Sequence, residues 1–124
     1  MAEGLRKIIV IDSDKVGSIA LCSLLQSQGF SALSIENTDN DDELSSKLAG
    51  VSLAIIDTGV GNAVELSNRI KVKQEGMGII YTTVSLRAEE ELLHSFGIVD
   101  VFLKPFQLEL LLPAIRRSAG APHH

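Results

Sequence analysis

Tryptophan is absent from this chain of 124 residues, and aromatic residues make up only 4% of it. The core must therefore be built from Ile, Leu, Val and Ala, within a hydrophobic content of 45%. Such a core suits parallel strands that are covered by helices. Length and composition predict one compact domain over residues 1–124, with an ordered core over about 5–118 and a tail over 119–124.

Other scarcities exclude whole classes of protein. The net charge of −5 opposes direct nucleic-acid binding, because phosphate contacts need clustered Lys and Arg. The one cysteine, Cys22, cannot form an internal disulfide, so a reducing cytoplasm is the expected location. No apolar run approaches the roughly 18 residues of a membrane span, and the first residues carry no signal-peptide pattern. We therefore expect neither a nucleic acid nor a membrane as partner.

Apolar periodicity and turn residues predict five strands that alternate with five helices. The predicted strands cover residues 5–12, 30–35, 51–57, 78–83 and 99–104, and the predicted helices cover 14–29, 37–50, 62–76, 86–97 and 106–118. Short connections between alternating elements favour right-handed crossovers and a single parallel sheet. The expected fold class is α/β, a doubly wound three-layer sandwich.

Two predicted helices carry a clear apolar spacing, and one carries an interruption. In the first helix the residues at helical spacing are Val16, Ile19, Ala20, Ser23 and Leu24, and in the third they are Val64, Leu66, Ile70 and Lys71. This spacing predicts the amphipathic faces of those helices. Pro113 lies inside the last helix and is expected to kink or split it.

Acidic residues follow two apolar runs at the points where the strands end. The stretch IIVIDSD runs into Asp12 and Asp14, LAIID ends at Asp57, and Thr82 and Lys104 close two later strands. Because the carboxyl ends of parallel strands meet at one edge of the sheet, these side chains should converge there. Crowded carboxylates need a cation, and their oxygens suit Mg²⁺. A metal, an ammonium and a hydroxyl around one acid would stabilise a phosphoryl group transferred onto it.

The order and spacing of these separated sites resemble the receiver domains of two-component response regulators. The resemblance covers residues 5–118. It implies a flavodoxin-like (βα)5 sandwich with a five-stranded parallel sheet in the order 2-1-3-4-5. It also implies a sensor histidine kinase or a phosphotransfer protein as phosphodonor. An output domain or partner protein is expected on the face formed by the fourth helix, the fifth strand and the fifth helix.

The same resemblance implies a role for each residue of the site. Asp57 is expected to accept the phosphoryl group, with Lys104 pairing with the phosphoryl oxygens and Thr82 moving toward them to shift the interaction face. Asp12, Asp57 and the backbone carbonyl of Gly59 are expected to hold Mg²⁺. The bond between Lys104 and Pro105 is expected to be cis. Since the phosphotransfer is self-directed, we do not expect an enzyme that acts on free substrate.

The sequence also departs from the receiver pattern at several positions. Ser13 replaces the second acid of the usual pair, which removes a charge and lowers the expected Mg²⁺ affinity. Asp14 is a candidate substitute ligand, although its position favours capping of the first helix. The loop TGVGNA after Asp57 is shorter than usual, Thr83 is larger than the usual residue beside the switch, and Val101 replaces a rotating aromatic.

These departures leave two alternatives open. The first is a pseudo-receiver, which docks onto a partner through the same fold without phosphorylation. The second is a phosphatase, because DSDKV resembles the nucleophile motif of haloacid-dehalogenase-type enzymes, with Asp12 as nucleophile and Asp14 as general acid. After Lys104 only Glu109 is available as the later acid of such enzymes, so we rank the phosphatase last.

Overall fold

Five strands form one parallel sheet in the order β2-β1-β3-β4-β5. The computed structural model describes residues 7–37, 40–74, 76–84, 100–104 and 108–119. The strands are β1 (Lys7–Ile11), β2 (Ser31–Ile35), β3 (Val51–Asp57), β4 (Gly78–Thr83) and β5 (Asp100–Leu103). This order places the topological switch point between β1 and β3, beside the strand ends that carry the acids. The predicted fold class and strand order are confirmed.

Four α-helices are described, and they lie on both sides of the sheet. They are α1 (Lys15–Ser27), α2 (Asp41–Leu48), α3 (Ala63–Lys73) and the C-terminal helix (Leu108–Ala119). The side chain of Asn40 caps α2 by accepting a hydrogen bond from the amide of Glu43, as the acidic start of that helix predicts. None of the described helices is long and apolar enough to cross a membrane.

The sheet separates two hydrophobic clusters, because alternate residues of each strand point to opposite faces. The cluster under α2 and α3 contains Ile9, Ile11, Leu44, Leu48, Ile56, Leu66, Ile70 and Tyr81 among others. The cluster under α1 and the C-terminal helix contains Ile8, Val10, Cys22, Leu25, Phe30, Ile55, Leu111 and Ile115 among others. Tyr81 is the only one of these named side chains that carries a hydroxyl group.

The predicted apolar face of α1 is wrong. Val16, Ile19 and Leu24 are 80%, 58% and 48% exposed, whereas Ser18, Cys22 and Leu25 face the core. The helix is apolar almost all round, since Lys15 is its only charged residue, so apolar spacing alone could not select the buried side. A small polar residue settles the orientation, because the hydroxyl of Ser18 is hydrogen-bonded to that of Ser34 on β2.

Two smaller expectations about helices also need correction. In α3, Leu66 and Ile70 are buried as predicted, but Val64 is 48% exposed and Ala63 and Ser67 face the core instead. The C-terminal helix is not split, since it runs through Pro113 from Leu108 to Ala119. The proline lies in its second turn on the exposed side, where it removes a single backbone hydrogen bond near the helix start.

Several predictions lie outside the described residues. They are the helix predicted over 86–97, the cis bond between Lys104 and Pro105, and residues 120–124 of the predicted tail. Residue 119 of the predicted tail is the last residue of the C-terminal helix. The predicted interaction face is described only in part, by β5 and the C-terminal helix. There Arg117 donates to Asp100 across 2.9 Å, and Leu110 is 62% exposed.

Candidate functional site

Four predicted site residues meet at the carboxyl edge of the sheet. Asp12 follows β1, Asp57 ends β3, Thr82 lies near the end of β4, and Lys104 follows β5. The parallel pairing of β3 with β4 sets Asp57 directly beside Thr82. The pairing of β4 with β5 carries Lys104 to the same edge, where its amide donates to the carbonyl of Thr83 across 2.7 Å.

The carboxylate of Asp57 is held by three donors. The Thr82 hydroxyl donates to Oδ1 across 2.9 Å, and the Lys104 ammonium lies 3.0 Å from the same oxygen. The amide of Gly59 donates to Oδ2 across 2.9 Å. Asp57 is only 8% exposed, so its charge is stabilised by these fixed donors and not by bulk water. The arrangement leaves an oriented carboxylate at the mouth of a cavity.

Lys104 joins the two acids of the site. Its Nζ donates to Asp12 Oδ2 across 2.8 Å while it contacts Asp57 on its other side. Burial alone would lower the pKa of Lys104, but the hydrogen bonds and charges of Asp12 and Asp57 outweigh burial and raise the pKa above its ordinary value. The ammonium is therefore fully charged at neutral pH and anchors both carboxylates.

Asp12 and Asp14 have different tasks although they are two residues apart. Asp12 Oδ1 accepts the amide of Asp14 across 2.9 Å, which leaves Oδ2 for Lys104. Asp14 is exposed, and its side chain caps α1 by accepting the amide of Gly17 across 3.1 Å. The capping role of Asp14 agrees with the sequence-based expectation, and its metal-binding role stays a prediction.

Gly59 occupies a position that no side chain could share. A Cβ built there would lie 2.8 Å from Asp57 Oδ2 and 3.3 Å from Ser13 Oγ. The absence of a side chain thus lets the backbone of the turn Thr58–Val60 approach the carboxylate and donate to it. The Ser13 hydroxyl lies close to Gly59, 3.3 Å from the position of that Cβ. The metal-binding role of the Gly59 carbonyl stays a prediction.

A cavity of about 470 Å³ opens beside these groups. Its polar wall includes Asp12, Asp14, Asp57, Thr82 and Lys104, and its apolar wall includes Leu21 of α1 and Val84 after β4. The cavity is large enough for a phosphoryl group and part of its donor. A second cavity of about 270 Å³ lies on the other side of Asp12, between Ser13 and Gly59.

The resting geometry does not fit a resident Mg²⁺. Among the described residues there is no group of three or more His, Cys, Asp or Glu side chains that could hold a metal ion. Both oxygens of Asp12 and both oxygens of Asp57 already accept hydrogen bonds from protein donors. Ser13 stands at the position of the second acid, and Lys104 lies between the carboxylates of Asp12 and Asp57. Asp14 also lines the cavity, but its carboxylate caps α1.

Sequence reasoning missed one contact in this region. Thr58, the residue after the predicted acceptor, donates from its hydroxyl to that of Thr83 across 2.8 Å. Thr83 is buried and does not line the cavity, so its size takes no space from the cavity. The signal was available, since Asp57 pairs with Thr82 and the next residues of both strands must also be neighbours. Val101, beside Tyr81, packs against the core cluster under α2 and α3.

Comparison with known proteins gives a consistent structural answer. No family model matches the chain, and no curated protein matches it by sequence. A response regulator from Thermotoga maritima superimposes with a TM-score of 0.74 at 22% identity, covering 93% of this chain and 98% of that one. A response regulator receiver domain from Clostridium thermocellum gives 0.76 at 20% identity, covering 93% and 94%. The chain has the receiver-domain fold.

A third neighbour supports the same assignment. A response regulator receiver protein from Pseudomonas putida superimposes with a TM-score of 0.73 at 24% identity, covering 92% of this chain and 98% of that one. At such identities the likeness establishes the receiver-domain fold and not the chemistry at the strand ends. The chemistry has to be argued from the contacts of Asp57, Lys104 and Thr82.

Proposed function

We propose that this chain is a response regulator receiver that accepts a phosphoryl group on Asp57. One observation carries the proposal: an oriented Asp57 carboxylate lies at a cavity, with the Lys104 ammonium 3.0 Å and the Thr82 hydroxyl 2.9 Å from the same oxygen. These groups come from three separate strand ends, and a helix cap or a surface ion pair would not require such convergence. The receiver-domain fold supports the same assignment.

The transfer balances as a displacement at phosphorus. A carboxylate oxygen of Asp57 attacks the phosphorus of a phosphohistidine, a P–O bond forms, and the P–N bond to the imidazole breaks. The imidazole leaves with the electron pair and takes up a proton, and Asp57 becomes an acyl phosphate. Lys104 already carries a charge next to the accepting oxygen, so it would neutralise the negative charge on the phosphoryl oxygens.

Thr82 links the chemistry to the protein surface. Its hydroxyl donates to Asp57 Oδ1 in the resting state, and a phosphoryl oxygen would offer the same donor a more negative partner. Thr82 pairs with Phe102 of β5, so a movement of Thr82 would bias the strand next to the C-terminal helix. We propose this region as the face for an output domain or partner protein, by a shift between two populations.

The outer face of α1 supports a protein as phosphodonor. Val16, Ile19 and Leu24 are exposed there, and Leu21 of the same helix lines the cavity at Asp57. Exposed large apolar side chains on one helix favour a protein contact there, and Leu21 of that helix lines the cavity of the accepting carboxylate. The proposed donor is a sensor histidine kinase or a phosphotransfer protein in the cytoplasm, with an apolar helical surface that covers α1.

Exposure to a small phosphodonor, such as acetyl phosphate, tests the acceptor directly. We expect the intact mass of the wild type to rise by one phosphoryl group, with no rise for Asp57→Asn. The reaction is run with and without Mg²⁺, and circular dichroism checks that the variant is folded. Wild-type protein without an adduct in either condition would eliminate the proposal.

A substitution on α1 tests the donor surface separately. Ile19→Glu is expected to leave acceptance from acetyl phosphate unchanged and to slow transfer from a phosphorylated histidine phosphotransfer protein. The matched control is Val72→Glu on α3, where an 86% exposed residue lies away from the cavity. Equal transfer to both variants would rule out α1 as the docking face.

A pseudo-receiver is the second candidate, and one observation favours it. Ser13 leaves the site with two carboxylates whose oxygens are all engaged by protein donors, so the resting site is complete without a ligand. The phosphatase hypothesis receives no such support. Its proposed general acid is Asp14, and the carboxylate of Asp14 caps α1. Failure of the mass test with intact partner binding would favour the pseudo-receiver.

A further inference from the structure

The cation of this acidic site is supplied by the chain itself. The Nζ of Lys104 lies 2.8 Å from Asp12 Oδ2 and 3.0 Å from Asp57 Oδ1, so one ammonium bridges both carboxylates. These are the distances of charge-assisted hydrogen bonds, whereas Mg²⁺ holds its oxygen ligands at about 2.0–2.1 Å. The two side chains are only 8% and 11% exposed, and that of Lys104 is 27% exposed, so solvent screens the bridge weakly.

The second oxygen of each carboxylate also accepts a hydrogen bond. Asp12 Oδ1 accepts from the amide of Asp14, and Asp57 Oδ2 accepts from the amide of Gly59, each across 2.9 Å. Backbone amides in a loop and a turn cannot leave without moving the chain. Each of these oxygens keeps a second lone pair, but a divalent ion bound there would lie against the Lys104 ammonium, so tight binding requires displacement of Lys104. Mg²⁺ also gives up its own water reluctantly.

The charge of the site is too small to compensate for that displacement. Two carboxylates and one ammonium leave a single net negative charge, and Ser13 adds none. Ser13 lines a cavity together with Asp12 and Gly59, so a carboxylate at position 13 would add a charge on the Asp12 side of the site. Asp14, the nearest further acid, has its carboxylate on the amide of Gly17.

We infer that Lys104 is the resident cation of the resting site, that Ser13 keeps this site closed to Mg²⁺ at millimolar concentrations, and that a carboxylate at position 13 opens it. The inference deepens the proposed function and rests on it only for its biological meaning. It concerns metal binding by the resting protein, whereas the proposed function concerns a covalent bond to Asp57.

A Mg²⁺ titration followed by amide chemical shifts tests the inference. The reporter amides are those of Asp14 and Gly59, which donate to the two carboxylates. We expect wild type to show no saturable shift in the millimolar range, and Ser13→Asp to saturate with an affinity about tenfold or more higher, because affinity follows the number of charged ligands. Ser13→Asn is the matched control, since it has the shape of Asp without the charge, and it should behave as wild type.

Lys104→Met provides a second variant in case Ser13→Asp does not fold. Without the ammonium, Asp12 and Asp57 repel each other, and Mg²⁺ becomes the available counter-charge, so this variant should bind more tightly than wild type. Saturable wild-type binding equal to that of Ser13→Asp would overturn the inference, as would equal binding by Ser13→Asn and Ser13→Asp. No phosphodonor is present in the titration. Failure here leaves the mass test of Asp57 unaffected, and failure of the mass test leaves this result standing.

Discussion

The hydroxyl of Thr58 donates to the hydroxyl of Thr83 across 2.8 Å, and this bond ties the turn after β3 to the end of β4. Each residue directly follows a member of the candidate site, since Asp57 precedes Thr58 and Thr82 precedes Thr83. The bond therefore fixes the turn whose Gly59 amide holds Asp57 Oδ2. It positions the acceptor without touching it.

A double-mutant cycle measures this positioning bond. Thr83→Val keeps the shape of the buried side chain and removes its oxygen, so we expect a loss of about 1 kcal/mol in the free energy of unfolding. Thr58→Val removes the other partner. Because both changes break the same bond, the double variant should lose about 0.5–1.5 kcal/mol less than the sum of the single variants. Additive losses in urea unfolding would show that the hydroxyls do not interact in solution.

The sheet could be predicted from the sequence because β1, β3 and β4 each carry a short run of branched apolar residues. β3 and β4 have the predicted bounds, 51–57 and 78–83. The convergence of Asp12, Asp57, Thr82 and Lys104 follows from the same cause, since parallel strands bring their carboxyl ends to one edge. Local pattern and global topology agree at these positions.

The orientation of α1 could not be predicted, and the reason is compositional. Apolar side chains surround the helix, so the residues of the exposed face, Val16, Ile19 and Leu24, give as regular a spacing as Cys22 and Leu25. The helix turns Ser18 inward because that hydroxyl finds a partner on β2. Such a pairing depends on a contact between distant segments, which no periodicity within α1 contains.

Alanine substitutions on the two sides of α1 check the observed orientation. Leu25→Ala removes a fully buried side chain and should cost about 2–5 kcal/mol of unfolding free energy. Ile19→Ala removes a 58% exposed side chain and should change stability by less than about 0.5 kcal/mol. Both changes introduce the same residue into the same helix, so helix propensity differs little between them. A larger loss at Ile19, measured by urea unfolding, would contradict the orientation.

The capping role of Asp14 has a matched pair of variants. Asp14→Ala removes the acceptor for the Gly17 amide and should cost about 1 kcal/mol. Asp14→Asn retains a side-chain oxygen that caps helices equally well, so it should keep nearly all of that stability. If Asn were as costly as Ala in thermal unfolding, the carboxylate charge and not the cap would be what Asp14 contributes.

The details of the candidate site were harder to predict than its members. Spacing along the chain indicated which residues converge, but it could not show that Lys104 reaches Asp12 as well as Asp57. It also could not show that the Gly59 amide donates to Asp57. Those contacts depend on side-chain reach and on a turn shape that follow from packing and not from strand order.

Tyr81 offers an optical test of the core, because it is the only tyrosine in a chain without tryptophan. It is fully buried, its hydroxyl is hydrogen-bonded to that of Ser67, and Ser67 donates to the carbonyl of Ala63 across 2.9 Å. Burial raises the pKa of Tyr81, and the hydrogen bond between Ser67 and Tyr81 offsets only part of that rise. We expect phenolate absorbance in the native protein to appear at a higher pH than after unfolding in urea, where it appears at about pH 10.

The same shift has a definite consequence for stability. Because the folded-state pKa of Tyr81 lies above the unfolded value, its contribution is fully present below about pH 10 and is lost as the pH rises through the folded-state pKa. Tyr81→Phe has no phenol to ionise, so its free energy of unfolding should fall less between pH 9 and pH 11 than that of wild type. Lys104 and Cys22, whose pKa values are also raised, account for the fall that remains in the variant. Parallel pH profiles for the two proteins would show that the Tyr81 hydroxyl is exposed to water. The contact between Ser67 of α3 and Tyr81 of β4 would then be broken in solution.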